Sequence, residues 1–175
     1  IDYIEVYDDI FSQGDIKELE NEYEGSPRMW EPATTVGKTD GYRVCDTRNL
    51  IPGTFIDRLV YERINTVFDR LNKKYRFLSL DSDDGYKLLR YNSGEVSGKY
   101  DIHIDHGRVN NRIITIIVFI NEDYTGGELS FFNDLDYTVK PKRGRVVAFP
   151  SSFQYPHAVK PVLSGERRTM ITWGT

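Results

Sequence analysis

The stretch "YDIHIDHGRVNNRIITIIVFIN", Tyr100 to Asn121, places two of the chain's three histidines around an aspartate and follows them with an almost unbroken β-branched run. Such a run reads as a strand, because β-branched side chains are stiff about χ1 and pack well on a pleated surface. Residues two apart on a strand share a face. His103 and Asp105 therefore project together, with Ile104 turned into the sheet and His106 pointing the other way. An imidazole and a carboxylate on one face can hold a single metal ion. They make up two-thirds of a 2-His-1-carboxylate set, the arrangement that leaves open positions on iron(II). The remaining histidine, His157, opens the strand-like "HAVKPV" and is the candidate third ligand. His106 offers a competing set that the face argument disfavours. The plain structural alternative is a solvated His/Asp pair at a strand end.

At 175 residues the chain fits one domain, spanning 1–175, that can bury a core without disulfides or a structural metal, so a bound metal would serve function. The composition, 39% hydrophobic, 29% charged and 13% aromatic, excludes disorder and a coiled coil. A net charge of −4 and pI near 5.4 argue against nucleic acid as a partner. Cys45 is the only cysteine, so no internal disulfide and no Cys-rich zinc site can form, and a reducing, cytoplasmic interior is expected. No apolar run of about 18 residues suggests a membrane span.

Along the chain, "YIEVYDDIF" reads as a first strand ending near Asp8, and Asp15 with Glu18 as the start of a short helix that runs to about Tyr23. Gly25 to Thr39, with Pro27, Met29, Trp30 and Pro32, has no periodicity and is the best loop candidate. Trp30 in that loop suggests a lid over a substrate; the alternative is a ring tucked onto the core. In "PGTFIDRLVYERINTVFDRLNKKY", Phe55, Leu59, Val60, Ile64, Val67, Phe68 and Leu71 follow the helical period, predicting one long helix with a face against something flat. Eight strand signals follow, from "YKLLRY" to "RRTMITW", separated by Gly, Asn, Asp or Pro. They indicate a mainly β fold, an antiparallel sandwich or barrel with helices packed on one outer face.

Ten positions beyond His157 stands Arg167. Alternation along the last strand puts Arg167, Thr169, Ile171 and Trp173 on one face and Arg168 on the other. A guanidinium facing an interior needs an anion, because an unpaired buried charge is very costly. The bland alternative is a surface arginine paired with an acid.

From roughly Tyr86 to Trp173 the chain resembles the iron(II)/2-oxoglutarate-dependent dioxygenases, in particular their prolyl 4-hydroxylase-like branch. The matching text is "LLRYNSGEVSGKYDIHID", "RIITIIVFIN", "YTGGELSFF", "VKPKRGRVVAFPSSFQYPHAVKPVLSGER" and "ITW". The resemblance implies a double-stranded β-helix, a jelly-roll or cupin-like barrel, over residues 86–175, preceded by N-terminal support helices within 1–80. It implies His103, Asp105 and His157 as iron ligands and Arg167 as the partner of the distal carboxylate of 2-oxoglutarate, a role suited to a planar, bidentate fork. Tyr91 looks like the family tyrosine that also reaches the co-substrate, although a core aromatic would read the same way. A second tyrosine of some relatives is Phe119 here, which leaves more of the anchoring to Tyr91 and Arg167, with Thr115 on the same strand face as a further candidate.

The implied reaction couples oxidative decarboxylation of 2-oxoglutarate by O2 to hydroxylation of an unactivated C–H bond, with ascorbate as reductant. The branch points to a prolyl residue of a peptide or protein. Free amino acids, small metabolites and nucleobases are the alternatives within the oxygenases, and a non-catalytic cupin-type binding barrel is the alternative outside them. Trp173 and the loop bearing Trp30 are the candidates for shaping the substrate mouth, though packing alone also accounts for Trp173. A monomer or weak homodimer is expected.

Overall fold

Two facing β-sheets, with two helices against the outside of one of them, make up the fold, which the computed structural model describes for residues 2–25, 29–35, 40–107 and 110–175. The chain order is β1 (Glu5–Tyr7), α1 (Gln13–Gly25), β2 (Glu31–Pro32), β3 (Arg43–Val44), β4 (Asp46–Asn49), α2 (Phe55–Lys74), β5 (Lys87–Asn92), β6 (Lys99–His103), β7 (Ile114–Phe119), β8 (Thr125–Gly126), β9 (Leu129–Phe131), β10 (Tyr137–Val139), β11 (Val146–Pro150), β12 (His157–Val159), β13 (Val162–Ser164) and β14 (Glu166–Gly174). The large sheet has the order β1-β11-β7-β14-β5-β4-β2 and the small sheet β10-β9-β12-β6-β3, with β8 and β13 paired separately. Each pairing is antiparallel. This is the double-stranded β-helix arrangement, but the two sheets do not close into a continuous barrel.

The non-alternating run in β7 has a physical reason. β7 lies between β11 and β14, and both its faces are covered. Ile114, Ile116 and Val118 face α1 and α2 in one apolar cluster, whereas Ile117 and Phe119 face the small sheet in another. A strand buried on both sides has no polar face to alternate with.

The helices anchor this platform. Thr54 caps α2, its hydroxyl accepting from the Asp57 N–H, and Ile56, Val60, Ile64, Val67, Phe68 and Leu71 form the buried stripe. Phe55, expected on that stripe, is exposed, because it sits in the first turn on the side away from the sheet. α1 starts two residues before the expected Asp15. Ser12 and Asp15 exchange backbone N–H bonds of 2.8 and 3.1 Å, a capping box in which Asp15 is the third helical residue and not the cap. Asp15 also receives a fork from Arg63 of α2 at 2.9 and 3.3 Å, which ties the two helices together.

Each of the eight strands expected after residue 80 is present; β2, β3, β4, β8 and β13, of two to four residues each, went unforeseen. Of the expected Gly25–Thr39 loop, residues 26–28 and 36–39 lie outside the described residues, and Glu31–Pro32 forms an edge strand. Among the described residues no helix is long and apolar enough to cross a membrane.

Candidate active site

β6 and β12 pair in a register that sets His103 directly opposite His157. This cross-strand pairing brings together ligands far apart in sequence. Asp105, just past the end of β6, is hung from the other sheet: its N–H donates to the Ser151 carbonyl at 3.2 Å, and its Oδ2 accepts from Thr115 Oγ1 of β7 at 2.7 Å. His103 Nε2 lies 3.6 Å from Asp105 Oδ1, and His157 Nε2 lies 3.4 Å from Oδ2. One ligand atom from each of the three residues falls within 4.8 Å of the others, close enough for one ion.

Both imidazoles are oriented for metal. His103 Nδ1 stands 2.8 Å from the Asp101 carbonyl and His157 Nδ1 stands 3.1 Å from the Tyr155 carbonyl. A carbonyl only accepts, so each Nδ1 carries the proton and each Nε2 keeps its lone pair for the centre. Burial, reinforced by the neighbouring His157, lowers the His103 pKa to about 3, so the ring stays neutral. Burial works against the Asp105 carboxylate, yet the two histidines outweigh it and hold its pKa below the usual range. Two imidazoles and one carboxylate are the donor set that suits iron(II).

These groups open onto a cavity of about 340 Å³ between the sheets. At its inner end lies Arg167, 1% exposed, whose register partner on β5 is Tyr91. Its Nη1 donates to Thr169 Oγ1 at 3.2 Å, while Nε and Nη2 find no hydrogen-bond partner among the described residues. No carboxylate of the described residues lies within ion-pair distance of it. The guanidinium carbon sits 5.0 Å from the Tyr91 ring and 5.4 Å from the Phe119 ring. A buried cation with two orphaned donors fits the distal carboxylate of 2-oxoglutarate. The Gly-Gly pair of "YTGGELSFF" gives it room: Gly127 has φ +65°, and a Cβ there would stand 3.1 Å from Arg167 Cδ and 3.3 Å from Tyr124.

Most of the expected site residues converge here. Tyr91 and Trp173 line the cavity with the three ligands and Arg167, and the buried Tyr91 phenol is raised well above its ordinary pKa by desolvation. Three expectations are corrected. Thr115 faces inward, but its hydroxyl bonds Asp105 and stands 2.8 Å from Ser151 Oγ, so it orients a metal ligand instead of anchoring the co-substrate. Trp30 is on the helix side of the large sheet, 4.6 Å from the guanidinium carbons of both Arg48 and Arg90 and 5.1 Å from the Tyr23 ring; its loop reaches the mouth through Thr34 and Thr35 instead. Ile104 is 40% exposed at the mouth, because β6 ends at His103 and no strand covers the next residue. His106 is exposed and outside the cluster, as the face argument expected.

Sequence reading missed several lining residues. Tyr100 stacks on His103 with ring centroids 3.5 Å apart, and Arg43, Lys87 and Arg112 bring three more cations to the cavity. Tyr100 lies in the quoted stretch and shares the alternation, a signal that could have found it. A larger apolar hollow of about 630 Å³ near the end of α2 includes none of the three ligands.

Comparison with known proteins agrees with this geometry. The family model described as the 2OG-Fe(II) oxygenase superfamily matches residues 86–174. Prolyl 3-hydroxylase 2 of Rattus norvegicus is 35% identical over 69 residues, covering 37% of this chain and 10% of that protein, and prolyl 3-hydroxylase 3 of Homo sapiens is 40% identical over 63 residues, covering 34% and 9%. The chain thus spans about a tenth of the length of these curated relatives. Among solved structures, the fold is shared with a prolyl hydroxylase from Trichoplax adhaerens in complex with a hypoxia inducible factor peptide fragment (TM-score 0.80, 16% identity, 98% of this chain and 82% of that one). It is shared also with a prolyl-4-hydroxylase from Pseudomonas putida (TM-score 0.77, 20% identity, 98% and 91%). With more than half of its length matched by the family model, and with two histidines and an aspartate converging on one cavity with a buried arginine that has no acidic partner among the described residues, the chain belongs to the 2OG-Fe(II) oxygenase superfamily.

Proposed function

We propose that this domain hydroxylates a prolyl residue of a peptide or protein, with iron(II), 2-oxoglutarate and O2, and with ascorbate as the reductant. The observation that carries the reading is that the His103/Asp105/His157 cluster and the unpartnered guanidinium of Arg167 open onto one cavity. The prolyl target rests on the likeness to prolyl hydroxylases in sequence and in fold.

When bound, iron(II) and 2-oxoglutarate supply the oxidising chemistry, in which decarboxylation to succinate and carbon dioxide accompanies oxygen insertion into a C–H bond. The chain supplies geometry. His103 and His157 keep Nδ1 protonated against backbone carbonyls and present Nε2, and Thr115 fixes the Asp105 carboxylate. Arg167 receives the far carboxylate of the co-substrate through Nε and Nη2. Ile117, Leu129, Ile171 and Trp173 wall the cavity with apolar surface, which excludes water from the reacting centre.

The test is succinate release from anaerobically purified protein given iron(II), 2-oxoglutarate, ascorbate and O2, with and without proline-containing peptides, beside His103→Ala. Succinate stimulated by a peptide, together with one oxygen atom added to its proline, is the expected result. Tight iron binding with no succinate under any condition would overturn the catalytic reading. Product analysis by NMR then separates 3-hydroxyproline from 4-hydroxyproline, since the curated sequence relatives carry the first specificity in their names and the Pseudomonas putida structure the second.

A further inference from the structure

Asp105 is the only acidic residue lining the cavity among the described residues, whereas Arg43, Lys87, Arg112 and Arg167 all line it. This concentration of positive charge stands in a chain whose net charge is −4, so it is a local feature. Each cation can be followed to its partner. Arg167 and the metal account for the two carboxylates of 2-oxoglutarate. Arg112 donates from Nε to Asp84 Oδ2 at 2.8 Å while its guanidinium carbon stacks 3.5 Å above Trp173. Arg43 and Lys87 remain. Neither forms an ion pair with a described carboxylate, and none of the residues outside the described set is an Asp or Glu.

The two residues flank the mouth from opposite sheets, Arg43 on β3 of the small sheet and Lys87 at the start of β5 in the large one. The Arg43 guanidinium lies 4.5 Å from the Tyr100 ring, which itself lies 3.5 Å from the His103 ring, and its Nε donates to Cys45 Sγ at 3.3 Å. Lys87 Nζ is 5.7 Å from the Trp173 ring. Burial, and behind it the guanidiniums of Arg112 and Arg43, lower the Lys87 pKa. Like charges gathered around the single lining acid Asp105, with Asp84 bonded to Arg112, repel one another, and an arriving anion relieves that repulsion.

We propose that Arg43 and Lys87 form a carboxylate-recognition site for the primary substrate, so that the hydroxylated residue is read beside an acidic group. This rests on the prolyl reading only for the identity of the target residue. One ring separates Arg43 from a metal ligand, which sets the carboxylate within about two residues of extended chain from the reacting carbon. An acidic side chain next to the proline meets that distance, and so does the free carboxylate of a small substrate.

The experiment measures binding without turnover, with manganese(II) in place of iron and 2-oxoglutarate present. The probes are proline-containing peptides that carry Glu, Gln or Lys on either side of the proline, the Glu peptide with proline replaced by alanine, and free proline beside prolinamide. The Glu peptide is expected to bind about tenfold more tightly than the Gln peptide, with the Lys peptide weakest and the difference shrinking with salt. Arg43→Gln and Lys87→Gln should erase the gain for Glu over Gln, while Arg43→Glu should shift the preference to Lys. Because these side chains are half-buried, a native circular dichroism spectrum and a cooperative thermal melt verify folding. Proline favoured over prolinamide, with no charge preference among peptides, would put the carboxylate on a small substrate. Equal affinity for the Glu and Gln probes, or variants that keep the preference, would overturn the proposal. If the acid preference survives in the alanine peptide while the iron-loaded protein hydroxylates no proline in the succinate test above, the prolyl reading fails and the recognition site stands.

Discussion

Thr115 Oγ1 donates a 2.7 Å hydrogen bond to Asp105 Oδ2, joining the most deeply buried strand of the large sheet to the carboxylate of the candidate metal centre. Thr115→Val keeps the shape and removes that donor. Metal affinity should fall about ten- to a hundredfold with little change in 2-oxoglutarate affinity at saturating metal, as read by metal titration followed by co-substrate titration. An effect confined to 2-oxoglutarate would restore Thr115 to the anchoring role.

Arg167→Met should abolish the thermal shift that 2-oxoglutarate gives the metal-loaded protein. In the absence of co-substrate it should raise stability by about 1 kcal/mol or more, because a buried guanidinium without an acid is replaced by a side chain that suits the site. Calorimetry of both forms checks the pair of signs, and a lower Tm for the unliganded variant would contradict the orphaned-charge account.

Gly127→Ala places a methyl group 3.0 Å from Val162 Cγ2 and 3.1 Å from Arg167 Cδ at a backbone φ of +65°. A stability loss of about 1–2 kcal/mol is expected, with weaker 2-oxoglutarate binding and unchanged metal affinity, because the displaced atoms belong to Val162, Arg167 and Tyr124 and not to the histidines. Denaturant melts and two titrations separate these effects.

Asp15→Asn keeps the cap on α1 but loses the charge that faces Arg63. The hydrogen bond from Arg63 holds the Asp15 pKa below its ordinary 3.8. Its contribution to stability is therefore present above that value and is lost as pH falls through the lower folded value. The variant should be about 1 kcal/mol less stable at neutral pH and equal to the parent in strong acid. A constant gap across pH would show that the ion pair is not the cause.

Trp30→Ala should cost stability through lost packing against Tyr23, Arg48 and Arg90, and leave the KM for any substrate within about twofold of the parent. A selective rise in KM would return Trp30 to the mouth.

Sequence legibility followed strand periodicity. His103, Asp105 and the inward set of Arg167 and Trp173 obey a two-residue repeat and were readable. His157 was readable by elimination, although the register that sets it opposite His103 was not. The Thr115 contact was hidden because it depends on β7, β11 and the end of β6 meeting in space. Arg43 was hidden in a two-residue strand, too short for any period to show. Trp30 misled because a bulky ring in an aperiodic loop reads the same whether it turns toward the mouth or toward the helices.

The two histidines belong to the small sheet, and the groups that hold Asp105 belong to the large one. An ion bound by all three would therefore be a rivet between halves of the molecule that backbone hydrogen bonds join there only through the Asp105 and His106 N–H groups and the Ser151 carbonyl. Saturation at a hundred times Kd adds about 2.7 kcal/mol to the folded state. On the proposed reading, iron supply would then set the lifetime of the folded chain as well as its chemistry, and a cell short of iron would hold less of the protein, not merely an idle pool of it.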